Sequence, residues 1–365
     1  MSLVTYSDLM VQSVKDPTRK VYEVMAERVA DSASPMPPKP NKALEAVQVA
    51  TLQGWVKAGP QKGVCTSSSV IPPGMVAVPT CDADVTVKST SEWEMPQATG
   101  DEYVCYGLDL PVSAKRHATA IYPLVNNKTI VHHMILFQGS KSYNTTPTVC
   151  DSGNSLEWKF IAGWAPGTQP IALPEEAGFP LEGTAHFIVQ VHYSNLNHLS
   201  GQKDGSGFSL CTTDQLRKFD ADVMAFGTTS IQVPPHSTLD QTCEYTVPSG
   251  LNGIRAIASL PHMHKTGTAI STTQITSDGT KTDLGTSAAW SFDSQFWYPL
   301  NATLREGDKI QTRCAWQNTT DTKIKFGERT SDEMCYSFTM YYPRVESPFW
   351  TWGMPASEVK CTKNQ

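Results

Sequence analysis

The chain has 365 residues, 18% of them charged, and a net charge of -6. That length exceeds one ordinary core and points to two domains with a smaller appendage, while the acidic balance leaves no basic surface for nucleic acid or an anionic membrane. No apolar run reaches the roughly 18 residues that span a bilayer, and the opening MSLVTYSDLM has neither the basic start nor the apolar stretch of an export signal.

In chain order, Val21, Val24, Met25 and Val29 recur at helical spacing over 18–30. Leu44, Val47, Leu52, Trp55 and Val56 mark a second amphipathic helix ended by Gly59 and Pro60. The proline-rich ASPMPPKP joins them, and this helical segment, 1–62, holds few apolar residues for an independent domain. Residues 63–100, including CTSSSVIPPGMVAVPTC, read as a linker. From Asp101 the period changes to two. EYVCYGLDL, KTIVHHMILF, HFIVQVHYS, ADVMAFGT, GIRAIASL, AISTTQITSDGTKTDL, DKIQTRCAW and MCYSFTMYY alternate or are apolar throughout, with turn residues between them. The pattern predicts a mainly β chain of two tandem antiparallel β-sandwiches, jelly-roll-like, over 101–213 and 214–365.

Nine cysteines, none spaced C-x-x-C, do not look like a zinc ribbon or a haem attachment site. Spread through turn-rich sequence, they imply disulfides and an oxidising compartment. Met-Ser-Leu is then expected not to be the natural start, and the odd count leaves one thiol outside any pair in a monomer. Of nine histidines, five fall in three strand-like stretches: His132 and His133 in IVHHMILF, His192 in VQVHYSN, and His262 and His264 in LPHMHKTG. Residues two apart on a strand share a face, so His262 and His264 can converge on a metal. Adjacent His132 and His133 cannot do so on a regular strand without a bend or the use of different ring nitrogens.

TIVHHMILF, IVQVHYSN, LPHMHKTG and TSDEMCYSFTMYYP, in that order, resemble the copper type II, ascorbate-dependent monooxygenases, the family of peptidylglycine α-hydroxylating and dopamine β-monooxygenases. The likeness runs from about Asp101 to Cys361. It implies two coppers per chain, one on His132, His133 and His192 and a second, catalytic one on His262, His264 and Met334, facing each other across an open cleft. The methionine-bearing copper would meet dioxygen and the substrate C–H, and the other would store an electron. A mixed His/Met set suits copper, since a thioether favours Cu(I), and is a poor zinc site. Gln190 and Tyr103 are the residues expected behind the three-histidine ligands. The same likeness implies disulfides Cys105–Cys150, Cys243–Cys361 and Cys314–Cys335. Cys65 with Cys81 is a plausible short loop that leaves Cys211 free, with Cys81–Cys211 its rival.

The sequence departs from the peptide-amidating branch where that branch anchors a substrate carboxylate: Leu260, Tyr336 and Phe338 stand at those positions. An apolar or aromatic small molecule is therefore the expected substrate, with dioxygen and an external donor, ascorbate-like or a haem protein, completing the reaction. VYEVMAERVADSASPMPP followed by VATLQGWVKAGPQKG is similar to the later half of bacterial c-type cytochromes, with Met36 at the axial position. Without C-x-x-C-H no haem is expected, yet the likeness points to a bacterial, periplasmic or secreted source. A non-catalytic copper-binding or electron-transfer protein is the alternative; a carrier needs one copper, and both ligand sets are present.

Overall fold

The computed structural model describes residues 6–13, 16–31, 44–62, 81–150, 158–166, 168, 170–195, 197–251, 253–288, 290–292, 295–327, 329–345 and 359–364. Met36 and Cys65 lie outside them. The chain divides into two compact units, Met1–Ile71 and Pro72–Gln365.

The first unit holds helices Val21–Arg28 and Ala46–Lys57, close to the two amphipathic stretches, and a short helix Tyr6–Met10. Tyr22 and Trp55 meet edge to face at 6.4 Å. Among its described residues only Val21 and Ala26 are buried apolar side chains, and Val47 is 72% exposed. The unit has little core of its own.

Among its described residues the second unit has strands and no helix, as the period-two segments predict. Its first sandwich is an extended sheet in the order Val85–Lys88, Gly207–Thr213, Asp101–Leu124, Ala177–Ser194, Val131–Gly139 and Trp158–Trp164, all antiparallel along that path. Val85–Lys88 lies inside the stretch read as a linker, and its first-position neighbour in the sheet ends at Thr213. The two longest strands shift register between Val112 and Arg116, opposite Gly183 at φ 62°. That left-handed conformation is one that glycine adopts without steric cost.

In the second sandwich, Asp222–Gly227, Cys335–Tyr342, Ile254–Met263 and Tyr298–Leu304 form one sheet. Lys281–Ser287, Gly267–Ile275, Lys309–Asn318, Ser237–Thr246 and Lys360–Lys363 form the other. Every residue of Cys335–Tyr342 is buried, because both its faces are covered. Cys335 and Tyr341 point into the second sandwich's own cores, whereas Tyr336, Phe338, Met340 and Tyr342 join the core of the first. The sandwiches thus share one apolar interface, which also buries an ion pair between Lys159 and Asp222.

Among the described residues four disulfides are present: Cys105–Cys150, Cys243–Cys361, Cys314–Cys335 and Cys81–Cys211. The last corrects the preferred Cys65–Cys81 loop. Asp84 N donates to Leu210 O and Val85 pairs with Leu210, so strand pairing carries Cys81 to Cys211 and away from its neighbour in sequence.

Candidate metal centres

Val131–Gly139 pairs with Ala177–Ser194 so that Val131 faces Tyr193 but His133 faces His192, a register shift that makes His132 the extra residue of a bulge. A bulge re-aims side chains, and here it brings two adjacent imidazoles to one point. His132 Nδ1 lies 3.2 Å from His133 Nδ1, and His192 Nδ1 lies 3.4 Å from His133 Nδ1. Ligand atoms of all three residues fall within 4.8 Å of one another. Four-coordinate bonds of about 2.0–2.1 Å separate neighbouring nitrogen ligands by roughly 3.3 Å, so the spacing fits a cation. His192 is fixed by its other nitrogen, where Nε2–H donates to Asp101 Oδ1 at 2.5 Å, leaving Nδ1 to face the centre. Tyr103 stacks on the same ring at 4.3 Å. Burial holds His133 and His192 below the usual histidine range, which keeps them neutral and able to bind metal.

The second set forms where Ile254–Met263 runs out beside Cys335–Tyr342. Met263 pairs with Cys335, and extending that register sets Met334 opposite His264. His262 Nδ1–H donates to Gln295 Oε1 at 2.7 Å and His264 Nδ1–H to Asp332 O at 3.1 Å. Both Nε2 atoms are left for a ligand. Burial pushes His262 down to about 4. Burial, with His262 adjacent, pushes His264 down to about 3. Beneath them Glu333, fully buried, accepts bonds from the backbone N–H of His264, Thr266 and Met334, from the Thr266 hydroxyl and from Trp316 Nε1. Its carboxyl is raised by burial despite these bonds. One carboxylate therefore clamps the turn after the first histidine strand to the residue before the next strand.

His262, His264 and Met334 line a single cavity of about 60 Å³ with Leu260 and Phe338, and His133, Tyr103 and Gln190 of the first sandwich border it too. Two imidazoles with a thioether, facing three imidazoles, make a donor set that fits copper. Residues 86–200 match the N-terminal domain of the copper type II ascorbate-dependent monooxygenases, and residues 219–357 match the C-terminal domain. The chain belongs to this family. It is 31% identical over 274 residues to dopamine beta-hydroxylase of Bos taurus, across 67% of this chain and 44% of that protein. Against the Equus caballus dopamine beta-hydroxylase it is 31% identical over 305 residues, 74% of this chain and 49% of that one. DBH-like monooxygenase protein 1 of Gallus gallus is 30% identical over 275 residues, with 67% and 44% covered. The chain spans under half the length of these relatives. Among solved structures, an allantoicase aligns at a TM-score of 0.21 and 12% identity over 62% of this chain and 81% of that one, too slight a likeness to argue from.

His133 alone of the three-histidine set borders the cavity, and Phe292 packs against both sets, 4.8 Å from the His132 ring and 5.9 Å from that of His264. Leu260 and Phe338, paired across the strands, do line the cavity, and Phe338 stacks on Phe160 of the first sandwich at 4.2 Å. Gly163 makes this close approach possible, since a Cβ there would stand 3.3 Å from Leu260 Cδ2 and 3.2 Å from the Phe160 ring. Tyr336 packs beside Phe338 at 5.9 Å and is not among the lining residues. Gln190 lines the cavity, but its amide is directed at Cys105 Sγ, 3.9 Å away, and not at a histidine.

Sequence reasoning missed Asp101, Phe292, Gln295, Thr330 and Glu333. Asp101 stands two residues before Tyr103 on one strand, so the shared face was a usable signal. Glu333 sits inside the quoted DEMC motif. Phe292 and Gln295 come from a loop with no periodicity to read.

Proposed function

We propose that the chain is a two-copper monooxygenase that hydroxylates a C–H bond of a small apolar or aromatic substrate. One oxygen atom of dioxygen enters the substrate and the other leaves as water, with two electrons and two protons drawn from an ascorbate-like donor or a haem protein. The observation that carries the reading is that His262, His264 and Met334 line one largely apolar cavity together with His133 of the three-histidine set. Copper, when bound, supplies the one-electron steps and the activation of dioxygen.

The chain's own residues do the rest. His132, His133 and His192 would hold one ion through Nδ1. His262 and His264, through Nε2, would hold the other with Met334. Asp101, Gln295 and the Asp332 carbonyl fix which nitrogen of His192, His262 and His264 carries the proton, so no ring has to reorganise during turnover. Phe137, Phe160, Trp164, Leu260 and Phe338 exclude water from the reacting space. Leu260 and Phe338 give a substrate carboxylate no charge-assisted bond, which favours a neutral or aromatic body over a glycine-extended peptide. The four disulfides among the described residues support the reading of an oxidising compartment, periplasmic or secreted. No helix among the described residues is long and apolar enough to cross a membrane.

The test is reductant-driven oxygen uptake by copper-loaded protein, with product analysis, against arylalkylamines, small alkylarenes and a glycine-extended peptide. Hydroxylation of an aromatic compound is expected. Coupled hydroxylation of the peptide alone would overturn the substrate class, and no coupled product from any class would favour a non-catalytic copper protein.

A further inference from the structure

Two neighbouring residues of Trp158–Trp164, the strand at one edge of the first sandwich's sheet, reach into the second sandwich. Phe160 stacks on Phe338 at 4.2 Å and 8°, where both line the cavity. Lys159 Nζ donates to Asp222 Oδ2, which Arg344 Nε approaches to 3.5 Å, while Asp222 Oδ1 accepts from Val223 N–H at 2.8 Å. Asp222 and Phe338 lie on paired strands, Asp222 opposite Tyr341 and Ala225 opposite Phe338. The two points of attachment therefore stand about 10 Å apart along the strand direction. Lys159 is 8% exposed and Asp222 4%. Burial pulls the Lys159 ammonium below its usual value although Asp222 pulls the other way, so desolvation outweighs the attraction and the pair adds little to stability.

We propose that Lys159 and Asp222 are positioning residues for the substrate cavity, their bond keying the one register in which Phe160 of the first sandwich stands against Phe338 of the second. Apolar attraction is non-directional, so the aromatic stack by itself lets the two surfaces slide. A charge-assisted hydrogen bond is directional, and a second attachment away from the stack fixes rotation as well as translation. The strand that carries Lys159 also brings Gly163 and Trp164 to the cavity, so a slip would move three lining residues together. It would also put a side chain where Gly163 now lets Leu260 approach. The ion pair thus selects among packings that the apolar interface alone would tolerate, a role in register and not in stability. The consequence for turnover rests on the monooxygenase reading above; the register itself does not.

The experiment places nitroxide labels on the two sandwiches through Glu92→Cys and Lys281→Cys, both exposed, in a Cys65→Ser background, and reads their separation by double electron–electron resonance. Lys159→Met combined with Asp222→Leu should keep the urea midpoint equal or higher while making the distance distribution about twice as broad. Lys159→Arg, which keeps the charge, should keep the narrow distribution. The Met/Leu variant, loaded with copper to the wild-type content, should show a KM for ethylbenzene raised roughly tenfold, because a small misplacement of a positioning group is costly. A distribution as narrow as that of wild type would overturn the key, whatever the midpoint does. A broadened distribution with an unchanged KM would overturn its link to the cavity. Wild type that turns over no substrate would overturn the monooxygenase reading, and the distances would still decide the register. Should the Met/Leu variant not fold, Asp222→Asn keeps the shape and removes the charge; it should broaden the distribution in the same sense, and an unchanged width there would overturn the key as well.

Discussion

The two ligand sets use the same side chain in opposite ways. In the first sandwich His132, His133 and His192 converge through Nδ1, and the nitrogen behind His192 bonds a carboxylate. In the second, His262 and His264 keep Nδ1 for a neutral amide oxygen and a backbone carbonyl, freeing Nε2 beside a thioether. A charged partner makes a histidine a more basic ligand and supports the more oxidised metal, whereas neutral partners and sulfur support Cu(I). On the two-copper reading proposed above, the difference favours electron transfer from the three-histidine set toward the methionine set.

Replacing Met334 with Ile breaks the comparison most completely. It keeps the bulk and removes the soft donor, so oxygen-dependent turnover should fall below detection while the three-histidine ion stays bound, as elemental analysis and oxygen uptake would report. A variant that keeps wild-type turnover would remove Met334 from the site.

Acid should act on the buried rings of both sets next, and the second set can be followed in numbers. His262 and His264, held down to about 4 and about 3 by burial, protonate near 6.5 once unfolded. The unfolded chain therefore binds more protons over that interval, and stability is fully present above pH 6.5 and lost as pH falls toward 4. For His262 alone the loss is on the order of 3 kcal/mol. Glu333, raised by burial, works in the opposite sense. Urea midpoints of metal-free protein at pH 7 and 4.5 measure the sum, and equal midpoints would contradict the buried, neutral histidines.

Asp101→Asn sharpens the comparison with the smallest effect. Losing the carboxylate behind His192 should weaken copper at the three-histidine set by about 10–100-fold and raise its reduction potential, with the methionine set unmoved. Chelator competition reads the first and spectroelectrochemistry the second.

Much of this was legible in the sequence wherever one strand carries the signal. Alternation announced the strands, and His262 and His264, two apart, announced a shared face. MCYSFTMYY reads as a strand, and the structure buries both its faces, one in the core of the first sandwich and the other in those of the second. What stayed hidden depends on pairing between strands. The bulge that turns His132 toward His133 is a mismatch with the strand holding His192, visible only once the register is known. Cys81 found Cys211 through strand pairing 130 residues away in sequence. The surroundings of the two sets depend also on Phe292, Gln295 and Thr330, whose partners His132, His262 and Tyr103 are distant in the chain.

The central claim is two unlike copper sites on one cavity, and X-ray absorption of the reduced, copper-saturated protein tests it most directly. Metal counting on the same sample should give two coppers per chain, with one sulfur scatterer shared over the pair and the remaining ligands light atoms. Saturation at one copper, or two coppers with no sulfur scattering, would contradict it.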